Sequence, residues 1–275
     1  MQIAGKSALI TGAGNGVGRA IAVAFARKGV RLTLSDRFEQ RLRETAQQVE
    51  DVSREERPDD TPEVQLIPSD VPDSWRERVI RMVLERFGTL DILVNNVSVV
   101  QGGRLEKIEA EQLRAQLDAN LVAPIYYTRA ALPALKESGE AAIINVSSVL
   151  GLVGLPFYTV YTAAKAGIAG FSEALRRELV GEGIQVVTAY PDAMVVPMQE
   201  GTDLGPAEGF EYEPPEALAD AVVAALERGE TEVIRGSETI ASLIERNRKQ
   251  PQEVDDLLAQ KKAALEQFAA AHRDA

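Results

Sequence analysis

Residues 6–36 read KSALITGAGNGVGRAIAVAFARKGVRLTLSD, and the order of the pieces decides the fold. KSALIT and VRLTLSD are short runs of buried-strand character, and VGRAIAVAFARK between them repeats its apolar residues at helical spacing. Between the first strand and the helix stands TGAGNGVG, Thr11 to Gly18. Glycines there let the backbone turn tightly and approach a pyrophosphate, which then meets free N–H groups and the positive end of the helix dipole. Gly12, Asn15, Gly16, Val17 and Gly18 are therefore candidate dinucleotide contacts, whereas the same string outside a β-α-β unit would be a plain turn.

The alternation continues down the chain. A helix is expected near 38–50, a strand at VQLIP, a helix near 73–87, a strand at LDILVNN, helices through 106–136 and a strand at AAIINVSS. A long helix near 159–180 and the strand IQVVTAY follow. Near-continuous apolar strands alternating with helices imply an α/β fold, a doubly wound parallel sheet of the Rossmann type with helices on both faces and one core. Residues 53–62, SREERPDDTP, read as a solvated loop, and 191–213 as a long substrate loop. The expected organisation is a Rossmann-type domain over 1–236 and a helical tail over 237–275. Val254, Leu257, Leu258, Leu265 and Phe268 give that tail one apolar face, to pack on its own domain or on a second subunit.

The chain has 275 residues, a net charge of −12, no cysteine and a single histidine, His272. Thiolate chemistry, histidine-based triads and clustered histidine metal sites are excluded, so no metal is expected. The acidic balance disfavours nucleic acid and anionic membranes, which leaves small molecules as ligands. No signal-like or membrane-spanning apolar run is present, and a cytoplasmic location is expected.

Asp36 ends the second strand eighteen residues after Gly18, where a carboxylate accepts hydrogen bonds from the adenosine ribose and repels a 2′-phosphate. That favours NAD over NADP. Arg37 is the contrary feature, expected either stacked on adenine or solvated.

With TGxxxGxG, the DV pair Asp70–Val71, the NN pair Asn95–Asn96, Asn120, Ser148 and YxxxK at Tyr161–Lys165 in one order, the chain resembles the short-chain dehydrogenase/reductase family over roughly residues 5–192. The resemblance implies Tyr161 as general acid/base, Lys165 as its activator and a cofactor ligand, Ser148 as holder of the substrate oxygen and Asn120 as anchor of a relay water. Asp70, Val71, Asn96, Pro191 and Met194 would line the cofactor. Positions four apart on a helix differ by about 40° in azimuth, so Tyr161 and Lys165 share a face, and an ammonium there would lower the phenol pKa. Family members commonly pair through the helix bearing the tyrosine and the one before it, so a homodimer is expected.

Two departures stand out. The family's NNAG is NNVS here, ending at Ser98, and its PGxxxT is PDAMVV, Pro191 to Val196. Asp192 is expected either beside the nicotinamide, favouring its cationic form, or as a solvated loop carboxylate. Ser98, Leu150, Leu155, Tyr158 and Met198 are the expected substrate pocket, joined by Val99, Val100, Leu152 and Phe157, with Arg104 the nearest cation in sequence. A largely apolar secondary alcohol or ketone follows. The alternatives are a noncatalytic NAD-binding or scaffolding subunit, and epimerase or dehydratase chemistry on a nucleotide sugar.

Overall fold

A computed structural model describes residues 1–59, 61–69, 76–192 and 213–271. Seven strands form one parallel sheet: β1 (Ser7–Thr11), β2 (Arg31–Asp36), β3 (Val64–Pro68), β4 (Ile92–Asn95), β5 (Ala141–Val146), β6 (Ile184–Tyr190) and β7 (Glu232–Ile234). Their order across the sheet is β3-β2-β1-β4-β5-β6-β7. The order reverses between β1 and β4, which opens a crevice at the carboxyl ends of those two strands.

Successive side chains of a strand face opposite ways, so each central strand feeds two cores. Ala8 and Ile10 of β1, Ile92 and Val94 of β4, and Ala142 and Ile144 of β5 join one apolar cluster. Leu9, Leu93 and Ile143, one residue out of step, join the other. The first face is covered by α1 (Gly16–Arg27), α2 (Glu39–Glu56) and α7 (Pro215–Arg228). The second is covered by α3 (Arg76–Phe87), α5 (Ala123–Ser138) and α6 (Thr159–Glu178). This is the doubly wound single domain that the alternating pattern predicts.

Three local differences have physical reasons. The second helix runs on to Glu56 and absorbs the start of the expected loop at 53–62, because Arg54 pairs with Glu50 and Asp51 one turn back and the buried Ser53 hydroxyl donates to the Val49 carbonyl. The expected helices through 106–136 resolve into α4 (Ala110–Leu117), a π turn over Asp118–Val122, and α5. Helix α7 and edge strand β7 are additional to the sequence reading; β7 extends the sheet by pairing Thr188, Ala189 and Tyr190 with Glu232, Val233 and Ile234.

The tail is three helices, α8 (Glu238–Lys249), α9 (Pro251–Gln260) and α10 (Lys262–Ala271). Ile240, Ile244 and Val254 pack with Val149, Val153 and Tyr190, so α8 and α9 cover this chain's own sheet edge. No helix among the described residues is long and apolar enough to cross a membrane.

Candidate functional site

The glycine turn sits at the reversal point. Gly12 has φ +65° and Gly16 φ +50°, conformations that disfavour side chains. At Gly18 a Cβ would lie 2.2 Å from the Gly12 carbonyl oxygen, so the first turn of α1 closes on the loop only because nothing projects there. Asn15, the N-cap residue, makes no side-chain capping bond, and the first turn holds no acidic residue. Gly16 and Val17 open the helix. A positive helix end left uncapped by side chains fits a pyrophosphate.

Neighbouring strands hold this loop. The Asn96 amide donates to the Thr11 carbonyl at 3.2 Å and the Gly12 carbonyl at 3.0 Å, tying β4 to the turn. Arg19 reaches back from α1 to the Gly14 carbonyl at 2.5 Å. The Asp36 carboxylate accepts from the Gly14 and Phe38 backbone N–H groups at 3.1 and 3.0 Å. One donor per oxygen leaves lone pairs for ribose hydroxyls. Arg37 is not directed into that site: its guanidinium lies 4.6 Å from the Phe38 ring centroid, and Arg41 covers the same ring at the same distance.

Helix α6 and the end of β5 build the chemical centre. Tyr161 and Lys165 are both buried on one face of α6. Lys165 crosses to β5, where its Nζ donates to the Val146 carbonyl at 3.0 Å and lies 5.5 Å from the Tyr161 ring centroid. In return the Ser147 hydroxyl donates to the Lys165 carbonyl at 2.8 Å. Ser148 caps a 3₁₀ turn, Val149–Gly151, by accepting from the Leu150 N–H at 3.1 Å. The Pro191 carbonyl accepts from the Val149 N–H at 3.0 Å and fixes the other side of that turn.

Burial governs the electrostatics. It pushes the Tyr161 phenol above its ordinary value, with hydrogen bonding to the Ser98 and Ser148 hydroxyls pulling it back down. It also lowers Lys165 to about 7. The expectation that a lysine ammonium depresses the phenol is therefore corrected for this state. When both groups are out of water, desolvation penalises phenolate and ammonium alike.

Asn120 stands in the π turn, a feature that often marks functional sites. Its side-chain N–H groups donate to the carbonyls of Val99 and Gln116 at 2.7 and 2.8 Å, and its oxygen accepts from the Ser98 hydroxyl at 3.0 Å and the Val99 N–H at 3.2 Å. Two donors and two lone pairs are all engaged, so the side chain positions residues 98–99. Ser98, expected as pocket floor, donates to Asn120, and its hydroxyl also pulls the Tyr161 phenol down. The NNVS departure is the sequence signal for it.

Leu150, Leu155 and Tyr158 do gather with Tyr161 in one apolar cluster, which also includes Leu265 and Ala269 of α10. No spacing in the sequence placed the tail there. Arg104 is engaged by Glu266 and offers no open anion site. Asp192 is 8 % exposed and lies against Gly236, just before α8, which rules out the solvated reading. Asp70, Val71, Met194, Val196 and Met198 fall outside the described residues.

Known proteins resemble this chain in sequence and fold. The family model described as short chain dehydrogenase matches residues 6–205. An uncharacterized oxidoreductase from Thermotoga maritima is 34% identical over 191 residues, covering 70% of this chain and 72% of the relative. An alcohol dehydrogenase from the archaeon Thermococcus sibiricus, solved with 5-hydroxy-NADP, superposes with a TM-score of 0.74 at 27% identity, covering 85% of this chain and 97% of that one. Levodione reductase gives a TM-score of 0.76 at 26% identity, covering 87% and 99%.

Proposed function

We propose, from the premise that this chain belongs to the short-chain dehydrogenase family, that it interconverts a secondary alcohol and a ketone of largely apolar character with a nicotinamide cofactor. The observation that carries the reading is the burial of Tyr161 and Lys165 on one face of α6, with the Lys165 Nζ 5.5 Å from the Tyr161 ring and the tyrosine set in an apolar cluster. The family match and the alcohol dehydrogenase and reductase among its structural relatives support it.

The cofactor's contribution is a ring that takes or returns a hydride. The rest falls to the chain. In oxidation, Tyr161 Oη takes the hydroxyl proton as the carbinol carbon gives up its hydride; in reduction it returns that proton to the carbonyl oxygen. Ser148 holds the substrate oxygen. Ser98, itself held by Asn120, favours the ionised phenol, while the remaining Nζ donors of Lys165 would hold the cofactor ribose.

Removing the Ser98 hydroxyl tests its part. The hydroxyl carries one proton, given to Asn120 while the phenol is neutral and turned to Tyr161 when it ionises. A hydrogen bond to phenolate favours the charged form, so Ser98→Ala should move the acidic limb of kcat/KM for oxidation to higher pH. An unmoved limb removes Ser98 from the network.

NAD is the preferred cofactor in this reading, because the Asp36 carboxylate faces the ribose position and would repel a 2′-phosphate. Arg37 and Arg41 on Phe38 stand close enough in sequence to serve that phosphate once the carboxylate is gone. Asp36→Ala should therefore weaken NAD⁺ binding about tenfold and strengthen NADP⁺ binding, measured by fluorescence titration. Equal effects on both cofactors would count against the assignment.

The active species in this reading is a homodimer formed through α5 and α6, with Tyr126 of α5 exposed for such a contact. Sedimentation of a monomer at micromolar concentration would refute it. The deciding experiment for the function is incubation with NAD⁺ or NADP⁺ and a panel of secondary alcohols, following absorbance of the reduced cofactor. Tight cofactor binding with no turnover across the panel would overturn the oxidoreductase reading in favour of a noncatalytic subunit.

A further inference from the structure

Beside Tyr161, the apolar cluster is completed by the chain's own C-terminal helix. Leu265, Phe268 and Ala269 lie three and four residues apart, so they share one face of α10. Leu265 and Ala269 are buried at 2 % and 0 % exposure in the same cluster as Tyr161, Tyr158 and Leu155. The Phe268 ring, half-buried, stands 6.4 Å from that of Tyr158 in a tilted arrangement.

Two further contacts fix the helix to the segment that follows β4. A Cβ on Gly102 would come within 2.6 Å of the Ala269 carbonyl oxygen and 2.8 Å of its Cβ, so a glycine at 102 is what allows the backbones to meet. Two residues on, Arg104 grips the Glu266 carboxylate with both arms, at 2.5 and 2.7 Å, its guanidinium 5.8 Å from the Phe157 ring. Phe157 itself holds φ +70°, an unfavourable conformation outside glycine, immediately ahead of Tyr158 at the entrance to α6. The tail is thus attached at the residues that surround the chemical centre.

We propose that α10 is the specificity-determining wall of the substrate site, with Leu265 and Phe268 limiting the room beside Tyr161 to a compact, uncharged, ring-sized alcohol or ketone. The inference rests on the oxidoreductase reading for the chemistry and on the tail contacts for the size limit. The charge preference follows from Arg104: this cation, over the Phe157 ring of the same cluster, is already paired with Glu266, and a substrate carboxylate would have to break that pair to use it. The wall is apolar on the side that meets Tyr158, so a hydrocarbon ring loses little there and gains dispersion contact.

Phe268→Ala and Phe268→Trp change the room in opposite directions and serve as each other's control for folding. Cyclohexanol, 4-methylcyclohexanol, menthol and 4-tert-butylcyclohexanol, with NAD⁺ saturating, provide a graded series, scored by calorimetric binding and, separately, by NADH formation. The alanine variant should raise relative kcat/KM and affinity for the bulkiest members about tenfold, and the tryptophan variant should lower them by a similar factor, with the dissociation constant of NAD⁺ unchanged. A size profile identical in all three proteins, or no binding by any member in any of them, overturns the wall. Size-graded binding that shifts with position 268 but yields no NADH overturns the oxidoreductase reading and leaves the wall standing.

Discussion

Tyr161→Phe should lower kcat/KM for alcohol oxidation by about 10³-fold, the range that a positioned general base supplies. The ring stays, and with it the packing against Leu155 and Leu265, so folding and cofactor affinity should be preserved. What goes is the phenol oxygen, whose ionisation the Ser98 and Ser148 hydroxyls favour. Neither serine can replace it, because an alcohol hydroxyl is far less acidic than a phenol and accepts no proton at neutral pH in a useful way. Burial raises the phenol, so below its pKa each unit of acidity removes about nine-tenths of the remaining phenolate. Oxidation should therefore climb with pH in the wild type, whereas ketone reduction, which needs the protonated phenol, should not. Steady-state rates in both directions from pH 6 to about pH 10 check this. Turnover that survives Tyr161→Phe with its pH dependence intact would remove the tyrosine from the chemistry.

The sequence reading succeeded where a local pattern has one structural solution. A glycine turn between a buried strand and an amphipathic helix can only be built as it is here, with Gly18 closing on Gly12. The spacing of Tyr161 and Lys165 put both on one face of α6 for the same reason. It failed where the deciding partner lies far away in the chain. The link from Asn120 to Ser98 spans twenty-two residues and two elements, and the contact of Ala269 with Gly102 crosses most of the molecule. An amphipathic tail announces that it covers something apolar, but not what, since Leu265 and Phe268 would read the same on a helix covering a plain surface. One of the two placements expected for Asp192 failed for a related reason: its loop position suggested water, whereas the carboxylate is buried against Gly236 at the approach to α8.

Lys165→Met should abolish efficient turnover and also raise stability, and the two effects separate function from folding at one position. The lysine is 1 % exposed, and burial lowers it to about 7. The unfolded chain holds its proton up to about pH 10.4. Above that pH the residue is neutral in both states and folding carries no penalty. As pH falls toward 7 the unfolded state binds a proton that the folded state does not, and the cost grows by about 1.4 kcal/mol per unit. At and below pH 7 it is complete, with a ceiling of about 5 kcal/mol. Methionine has similar length and no charge to desolvate, so it removes this penalty. It also leaves the Val146 carbonyl without its Nζ donor, which returns about 1–3 kcal/mol. The net expectation is a thermal midpoint raised by roughly 5 °C at pH 7, shrinking toward zero and then reversing near pH 10. Scanning calorimetry of both proteins at pH 7 and pH 10 measures the difference, and titration of all other groups cancels between them. A midpoint that falls by the same amount at both values would mean that Lys165 is charged and satisfied in the folded chain. In that case the ammonium, rather than a lysine near neutrality, is what stands behind Tyr161, and the phenol should titrate lower than burial alone dictates.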